Sequence, residues 1–200
     1  MFINGWLYER KMKKQRAKRK YSDDMCWDLQ YTLLQILPQM IETLRKAKHG
    51  YPAQLNFEEI NNFPIKWVQE ELSNLKEEYK EKDFDEPDIQ DSFTRWQLTL
   101  KRISYCLKQA DETQTNIFNP YEEEYNKQRW GQFKNFKDST EVYKHDNKGK
   151  PLLYKFKDVK IDSKLKENYF NKLDEIDKYR DDMKTEAFNL INKYFWNLWD

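Results

Sequence analysis

The chain has 200 residues, which suits one domain with a short appendage. Charged residues make up 36% of it, yet aromatic residues make up 16%, which argues against intrinsic disorder because disordered chains lack the large apolar groups that offset the entropy of ordering. The net charge of +1 excludes a global attraction to nucleic acid or membrane. No apolar run approaches the roughly 18 residues of a membrane span, so we expect a soluble protein.

The first 20 residues differ in charge from the rest of the chain. Residues 10–20 hold eight basic side chains and no acidic one, which leaves a net charge of −7 for all other residues. We call residues 1–20 the basic arm and interpret residues 21–200 as a single, mildly acidic domain. The candidate binding residues of the arm are Arg10, Lys11, Lys13, Lys14, Arg16, Lys18, Arg19 and Lys20. Helix-favouring residues predominate there.

Four interpretations of the arm remain open. It could bind the phosphates of a nucleic acid, dock on an acidic protein surface, lie on an anionic membrane or simply keep the protein soluble. The membrane interpretation is the least favoured, and it relies on an apolar anchor that precedes the basic block: Phe2, Ile3, Trp6 and Leu7. A secretory signal has the reverse order, with the basic residues first, so we expect no signal peptide.

The first helix of the domain is the best delimited. Ser22 can cap it, and Asp23 and Asp24 suit the positive end of its dipole. Its predicted inner stripe recurs at helical spacing: Trp27, Tyr31, Leu34, Leu37, Ile41 and Leu44. Pro38 should kink or split this helix, and Gly50 followed by Pro52 should stop it.

Two further helices follow a loop at residues 51–63. The second helix of the domain begins near Pro64 and runs to about residue 82, with a stripe formed by Ile65, Val68, Leu72, Leu75 and Tyr79. After a polar break at 83–88, the third begins near Ser92. Its stripe is Trp96, Leu100, Ile103 and Leu107, flanked by Phe93 and Cys106.

In the last third of the chain the spacing of apolar residues changes from the helical pattern to alternation and then becomes helical again. Residues 120–137 predict a weaker helix around Tyr125, Trp130, Phe133 and Phe136. Residues 140–161 predict a β-hairpin that turns at Asp-Asn-Lys-Gly. A long helix from about Lys164 to Leu198 follows, with Asp162 or Ser163 as its cap. We expect the C-terminal FWNLWD to pack against the rest of the protein, since a frayed end would expose its large side chains to water.

Residues with catalytic potential are few. Of two histidines, His49 suits a helix C-terminus and His145 lies beside the hairpin turn. Cys26 and Cys106 are expected to be buried free thiols in a reducing compartment, and a disulfide between them is the less favoured alternative. There is no glycine-rich phosphate loop and no zinc-ligand spacing. Paired carboxylates are interpreted as solvated helix faces, although a metal-dependent nuclease could use them if three converged in the fold. We predict no catalytic residue, metal or cofactor.

Three stretches resemble a group of small uncharacterised phage and prophage proteins. The first is SDDMCWDLQYTLLQILPQMIETLRKAKHGYP, where a Trp-Asp-Leu-x-Tyr helix runs into a Gly-Tyr-Pro stop. The second is the helix Trp96–Leu107, and the third is the terminal Leu-Trp-Asp within FWNLWD. The hairpin at 140–161 is not part of the group's pattern and would be an insertion. The resemblance implies a viral origin and an accessory role, and it brings no catalytic residues with it.

Together these features predict a mainly α protein, a helical bundle of four to five helices with a small β-hairpin insertion. The first functional hypothesis is a non-enzymatic, phage-encoded accessory protein that acts through protein–protein contacts, either by inhibiting a host system or by binding other phage proteins. The alternative is a nucleic-acid-associated virion or packaging protein that uses the basic arm. Either would act in the host cytoplasm or within the virion.

Overall fold

The computed structural model describes residues 2–47, 51–52, 57–81 and 85–198, with side chains from residue 7 onward. These residues form seven α-helices, more than the four to five predicted, and one antiparallel sheet of two strands. The elements in chain order are α1 (Phe2–Arg19), α2 (Asp23–Trp27), α3 (Leu29–Lys46), α4 (Ile65–Glu81), α5 (Ser92–Ala110), α6 (Glu122–Trp130), β1 (Thr140–His145), β2 (Pro151–Phe156) and α7 (Ser163–Tyr194).

Two features account for the additional helices. The basic arm is itself a helix, α1, which ends where Lys20 adopts a left-handed backbone with φ of 71°. The predicted first helix of the domain is split, but the division lies at Asp28 and not at Pro38. The Asp28 side chain accepts a hydrogen bond of 3.2 Å from the Tyr31 N–H and so caps α3, which then continues through Pro38. The predicted stop at Gly50 and the side chain of His49 lie outside the described residues.

The chain folds into two compact units. Unit 1 comprises residues 1–115 and 180–200, and unit 2 comprises residues 116–179. Unit 1 therefore contains α1 to α5 and the last part of α7. Unit 2 contains α6, the hairpin and the first part of α7.

The core of unit 1 is built around α5. Thirteen of its 19 residues are buried, so this helix is enclosed on most sides. The predicted stripe of α5 is confirmed, since Trp96, Leu100, Ile103 and Leu107 are all buried. Helix α3 packs along it, and the Ser104 hydroxyl donates a hydrogen bond of 3.2 Å to the Pro38 carbonyl.

An aromatic cluster secures the end of α7 in this core. The Tyr194 ring lies 5.7 Å from that of Phe57 and 5.5 Å from that of Trp96, measured between centroids. Tyr194 is fully buried and Leu198 packs against the core, as expected of a packed C-terminal segment. Phe195 and Trp196 are exposed, contrary to that expectation, and the last two residues lie outside the described part of the chain.

Several residues assigned to inner stripes lie elsewhere. Trp27 and Tyr31 are exposed, so the buried face of α3 begins at Leu34. Ile65 is also exposed, and Trp67 takes a core position in α4. The predicted loop at 51–63 contains a 3₁₀ helix, Glu58–Asn62, which buries Ile60.

Unit 2 combines two helical segments with the hairpin. Helix α6 ends at Trp130, earlier than the predicted 137, and Tyr125 stacks on Tyr169 of α7 with centroids 4.0 Å apart. The hairpin and its Asp-Asn-Lys-Gly turn are confirmed, with Gly149 at φ of 78°. Asp162 is confirmed as the cap of α7, because its side chain accepts a hydrogen bond of 2.8 Å from the Leu165 N–H.

Candidate interaction surfaces

The two cysteines occupy different environments. Cys106 is buried, and burial raises the pKa of its thiol to about 12, so the group stays protonated at neutral pH and lacks the nucleophilic thiolate form. Cys26 is exposed, which corrects the expectation that both thiols are buried.

Within the described ranges, no three His, Cys, Asp or Glu side chains are grouped so that they could hold a metal ion. No helix in the same ranges combines the length and hydropathy needed to cross a bilayer.

The basic arm forms one side of a polar contact with the start of α2. Asp23 receives hydrogen bonds of 2.6 Å from both Arg19 and Gln15, and the Lys11 ammonium lies 3.6 Å from it. Arg16 donates to the buried Ser22 hydroxyl at 3.2 Å. The hydrogen bonds from Arg19 and Gln15 hold the pKa of Asp23 below its ordinary value. Part of the arm's positive charge is therefore neutralised within unit 1.

Helix α1 also carries a concave basic surface of about 640 Å³, which shares Lys11, Gln15 and Arg19 with the contact to Asp23. Five of the eight predicted basic residues line it, namely Arg10, Lys11, Lys14, Lys18 and Arg19, together with Leu7 and Gln15. Lys13 and Lys20 are exposed but do not line it, and Arg16 points to Ser22 and Asp24. Of the predicted anchor, Leu7 is exposed, whereas the side chains of Phe2, Ile3 and Trp6 lie outside the described residues.

Helix α3 has a second apolar face that the prediction missed. Opposite its buried face, four apolar side chains are exposed at positions 29, 33, 36 and 40, and we call this set the α3 stripe: Leu29, Leu33, Ile36 and Met40. Steps of four, three and four residues place them within one narrow sector of the helix, over a length of about 16 Å. Trp27 is 77% exposed just before the stripe begins.

The residues of α3 between the members of the α3 stripe carry no charge. Residues 29–41 include no Asp, Glu, Lys or Arg, although 36% of the whole chain is charged. Its polar neighbours are neutral, and Gln39 and Thr43 each bond to a carbonyl one turn earlier in the helix, at 2.8 Å. A helix with one face in the core and one on the surface is ordinarily polar outside, so a neutral, apolar outer face favours contact with another apolar surface. The uncharged run was visible in the sequence and is the signal that could have identified this face.

A third surface is a groove of about 490 Å³ in unit 1, beside the end of α7. Two of its acidic groups are paired within the protein. Glu59 accepts a hydrogen bond of 2.6 Å from the Tyr194 hydroxyl and pairs with Lys193. Glu186 accepts two hydrogen bonds from Arg102. These pairings indicate a structural role for Glu59 and Glu186.

The hairpin of unit 2 is the fourth surface. Both of its strands are exposed along almost their whole length, and large apolar side chains occupy much of them, including Tyr143, Leu152, Leu153, Tyr154 and Phe156. Two strands alone are marginally stable in water, so the contacts of Phe156 with Trp130 and Phe136 matter for holding them in place.

Comparison of the chain with models of protein families, with curated protein sequences and with solved structures finds no match.

Proposed function

We propose that this protein is a non-enzymatic accessory protein, encoded by a phage, that acts by binding another protein through the α3 stripe. The observation that supports the proposal is the exposed, uncharged outer face of α3. Exposing four large apolar side chains in one row is unfavourable in water, and this cost is relieved when a partner covers them.

The spacing of the α3 stripe defines the kind of partner. Apolar residues at steps of four and three are the pattern by which one helix packs its side chains between those of another. The stripe spans about one and a half heptads, too short for an independent coiled coil. The partner is therefore a protein that presents an apolar helix or groove. A component of a host system and another phage protein both fit this description, in the host cytoplasm or in the virion.

The test is co-purification of partners with the intact protein from lysates of uninfected and phage-infected bacterial cells. Leu33→Gln combined with Ile36→Gln should abolish recovery of the partner, while Ile65→Gln, an exposed apolar residue outside the stripe, should leave recovery unchanged. Because the stripe is apolar and the residues between its members are uncharged, recovery should persist at high salt. The infected and uninfected samples separate a phage partner from a host one. Recovery that depends on low salt, or that survives the double substitution, contradicts the proposal.

A second candidate function is binding of nucleic-acid phosphates by the basic arm. It is supported by the five basic residues that line one concave surface of α1. Replacing Arg10, Lys14 and Lys18 with Gln in the full chain should weaken binding to generic duplex DNA and reduce its salt dependence by about three phosphate contacts. The matched control replaces three exposed lysines of α7, Lys164, Lys166 and Lys178, and should have little effect. Equal losses from both variants would point to net charge alone.

A further inference from the structure

Unit 2 contains a cavity with aromatic walls. Its volume is about 370 Å³, which is within the range of small-molecule sites. It lies between the end of α6, the loop that follows and β2. Six residues line it: Trp130, Phe133, Asn135, Phe136, Ser139 and Phe156.

The walls are held in place by contacts within unit 2. The Phe156 ring meets Trp130 edge-to-face at 5.3 Å and Phe136 at 5.8 Å, measured between centroids. The loop is closed by a hydrogen bond of 3.0 Å from the Asn135 amide to the Asp138 carboxylate, and the buried Ser139 hydroxyl donates to the Phe136 carbonyl at 2.7 Å. The rings are therefore positioned before any ligand arrives, which reduces the entropy lost on binding.

The rings remain accessible. Phe136 is 72% exposed and Phe156 is 45% exposed, so both rings can be reached from solvent. Flat, accessible aromatic faces can stack with other planar ring systems. Three ligand classes use such sites: quaternary or methylated ammonium groups, proline-rich peptides and unpaired nucleobases.

Charge distinguishes between these classes. Residues 125–160 contain ten Lys and Arg against four Asp and Glu, a net charge of +6. Helix α6 begins with three acidic residues, but residues 127–137, which include four of the six lining residues, contain four Lys and Arg and no Asp or Glu. Arg129 lies over the Trp130 ring at 4.9 Å, and Lys134, Lys137 and Lys157 are exposed next to the lining residues in sequence. Positive charge repels an ammonium ligand and adds nothing for a neutral peptide, but it attracts a phosphate backbone.

We propose that the aromatic cavity of unit 2 binds single-stranded nucleic acid, taking an unpaired base against Trp130, Phe136 and Phe156 while the neighbouring lysines attract the phosphates. A duplex keeps its bases stacked inside and cannot deliver one to the cavity without disrupting its pairing. This site is independent of the α3 stripe and of the basic arm.

The experiment measures binding of the full-length protein to a fluorescent single-stranded oligothymidylate and to a duplex of equal length. The single strand should bind more tightly. Phe136→Ala should weaken its binding by about 5- to 150-fold, the range for the loss of one stacked base, and should leave duplex binding unchanged. Tyr143→Ala is the matched control, since Tyr143 is an exposed aromatic residue of β1 in the same unit that does not line the cavity, and it should have no effect.

A second variant distinguishes loss of the aromatic ring from a folding defect. Phe136→Leu keeps an apolar side chain at this exposed position but removes the ring, so it should reproduce the loss of binding without changing the circular dichroism spectrum. Equal affinity for single strand and duplex, unchanged by either Phe136 substitution, would assign binding to the lysines and overturn the proposal. Binding of a neutral proline-rich peptide that is lost in Phe136→Leu, with no binding of the oligonucleotide, would assign the cavity to a protein ligand and overturn it equally.

Discussion

Arg102 of α5 donates two hydrogen bonds, of 2.6 and 2.7 Å, to the carboxylate of Glu186 in α7. The guanidinium also lies 5.1 Å from the centroid of the Trp67 ring, so aromatic faces surround a charge that is almost wholly buried. A buried charge of this kind is stable only while its partner carries the opposite charge. The Arg102–Glu186 pair therefore links α5 and α7 within unit 1, although the two residues are far apart in sequence.

Replacing Glu186 with Ala should lower the free energy of unfolding by about 2 to 4 kcal/mol, because it leaves the Arg102 charge buried and unpaired. Urea denaturation measures the change. The matched control is Asp181→Ala, which removes an exposed carboxylate paired with Lys184 in the same helix and should cost less than about 0.5 kcal/mol. Equal effects of the two substitutions would contradict the assigned role of the pair.

Arg45 should make the stability of the protein sensitive to acid. Its side chain is 2% exposed and contacts Glu42 at 2.6 Å and Glu78 at 2.9 Å. Burial works to raise the pKa of each carboxyl group, but the hydrogen bonds and charge of Arg45 outweigh it, aided by Lys46 at Glu42 and Lys101 at Glu78, so both pKa values lie below the ordinary 4.5. Groups with a lowered pKa stabilise the fold above the unfolded-state value, and this stabilisation is lost as the pH falls through the folded-state value.

The free energy of unfolding should therefore fall more steeply between about pH 5 and about pH 3 in the wild type than in Arg45→Met. Lys80→Met serves as the control, since Lys80 pairs with Glu77 at the surface, and it should retain the wild-type slope. If the free energy of unfolding fell with pH at the same rate in all three proteins, Arg45 would not be responsible for the loss of stability in acid.

The cysteines should differ sharply in reactivity. An aromatic disulfide reagent at neutral pH should modify one thiol quickly, that of the exposed Cys26, and reach Cys106 after unfolding, because burial raises the pKa of Cys106 to about 12. The Cys26→Ser variant should lose the fast reaction completely. Two fast thiols in the native wild type would be inconsistent with a buried Cys106.

Adjacent residues on α3 should respond differently to truncation. Ile41 is 6% exposed and belongs to the core, whereas Met40 is 59% exposed and belongs to the α3 stripe. Ile41→Ala should cost about 2 to 4 kcal/mol of stability, and Met40→Ala less than about 0.5 kcal/mol. Chemical denaturation of the two variants measures the difference. A large loss in Met40→Ala would place the stripe in the core and remove the reason for a partner.

Local signals in the sequence predicted several elements correctly. The stripe of α5 is regular and buried, and the Asp-Asn-Lys-Gly turn places glycine where the backbone needs a positive φ. Both features depend on a few neighbouring residues, which is why the sequence alone was enough. The cap at Asp162 belongs to the same class.

Features that depend on tertiary packing were not predicted. Periodicity chose the core face of α3 correctly from Leu34 to Leu44, but it also assigned the exposed Trp27 and Tyr31 to that face. The second apolar face of this helix was not predicted. The predicted helix is divided at Asp28, where the side chain caps the start of α3. Pro38 is the more obvious helix breaker in the sequence, but it lies inside α3. The aromatic cavity was missed because its rings come from α6, a loop and β2, which are adjacent only in the folded unit.

The measurement that tests the central claim most directly is photo-crosslinking from the α3 stripe. A benzophenone amino acid is placed at Ile36 in the full-length protein, in bacterial cells, and the matched control carries it at Gln69, an exposed position of α4. We expect a discrete protein adduct from position 36, none from position 69, and loss of the adduct when Leu33→Gln is added. No adduct from position 36, or the same adduct from both positions, would contradict the account.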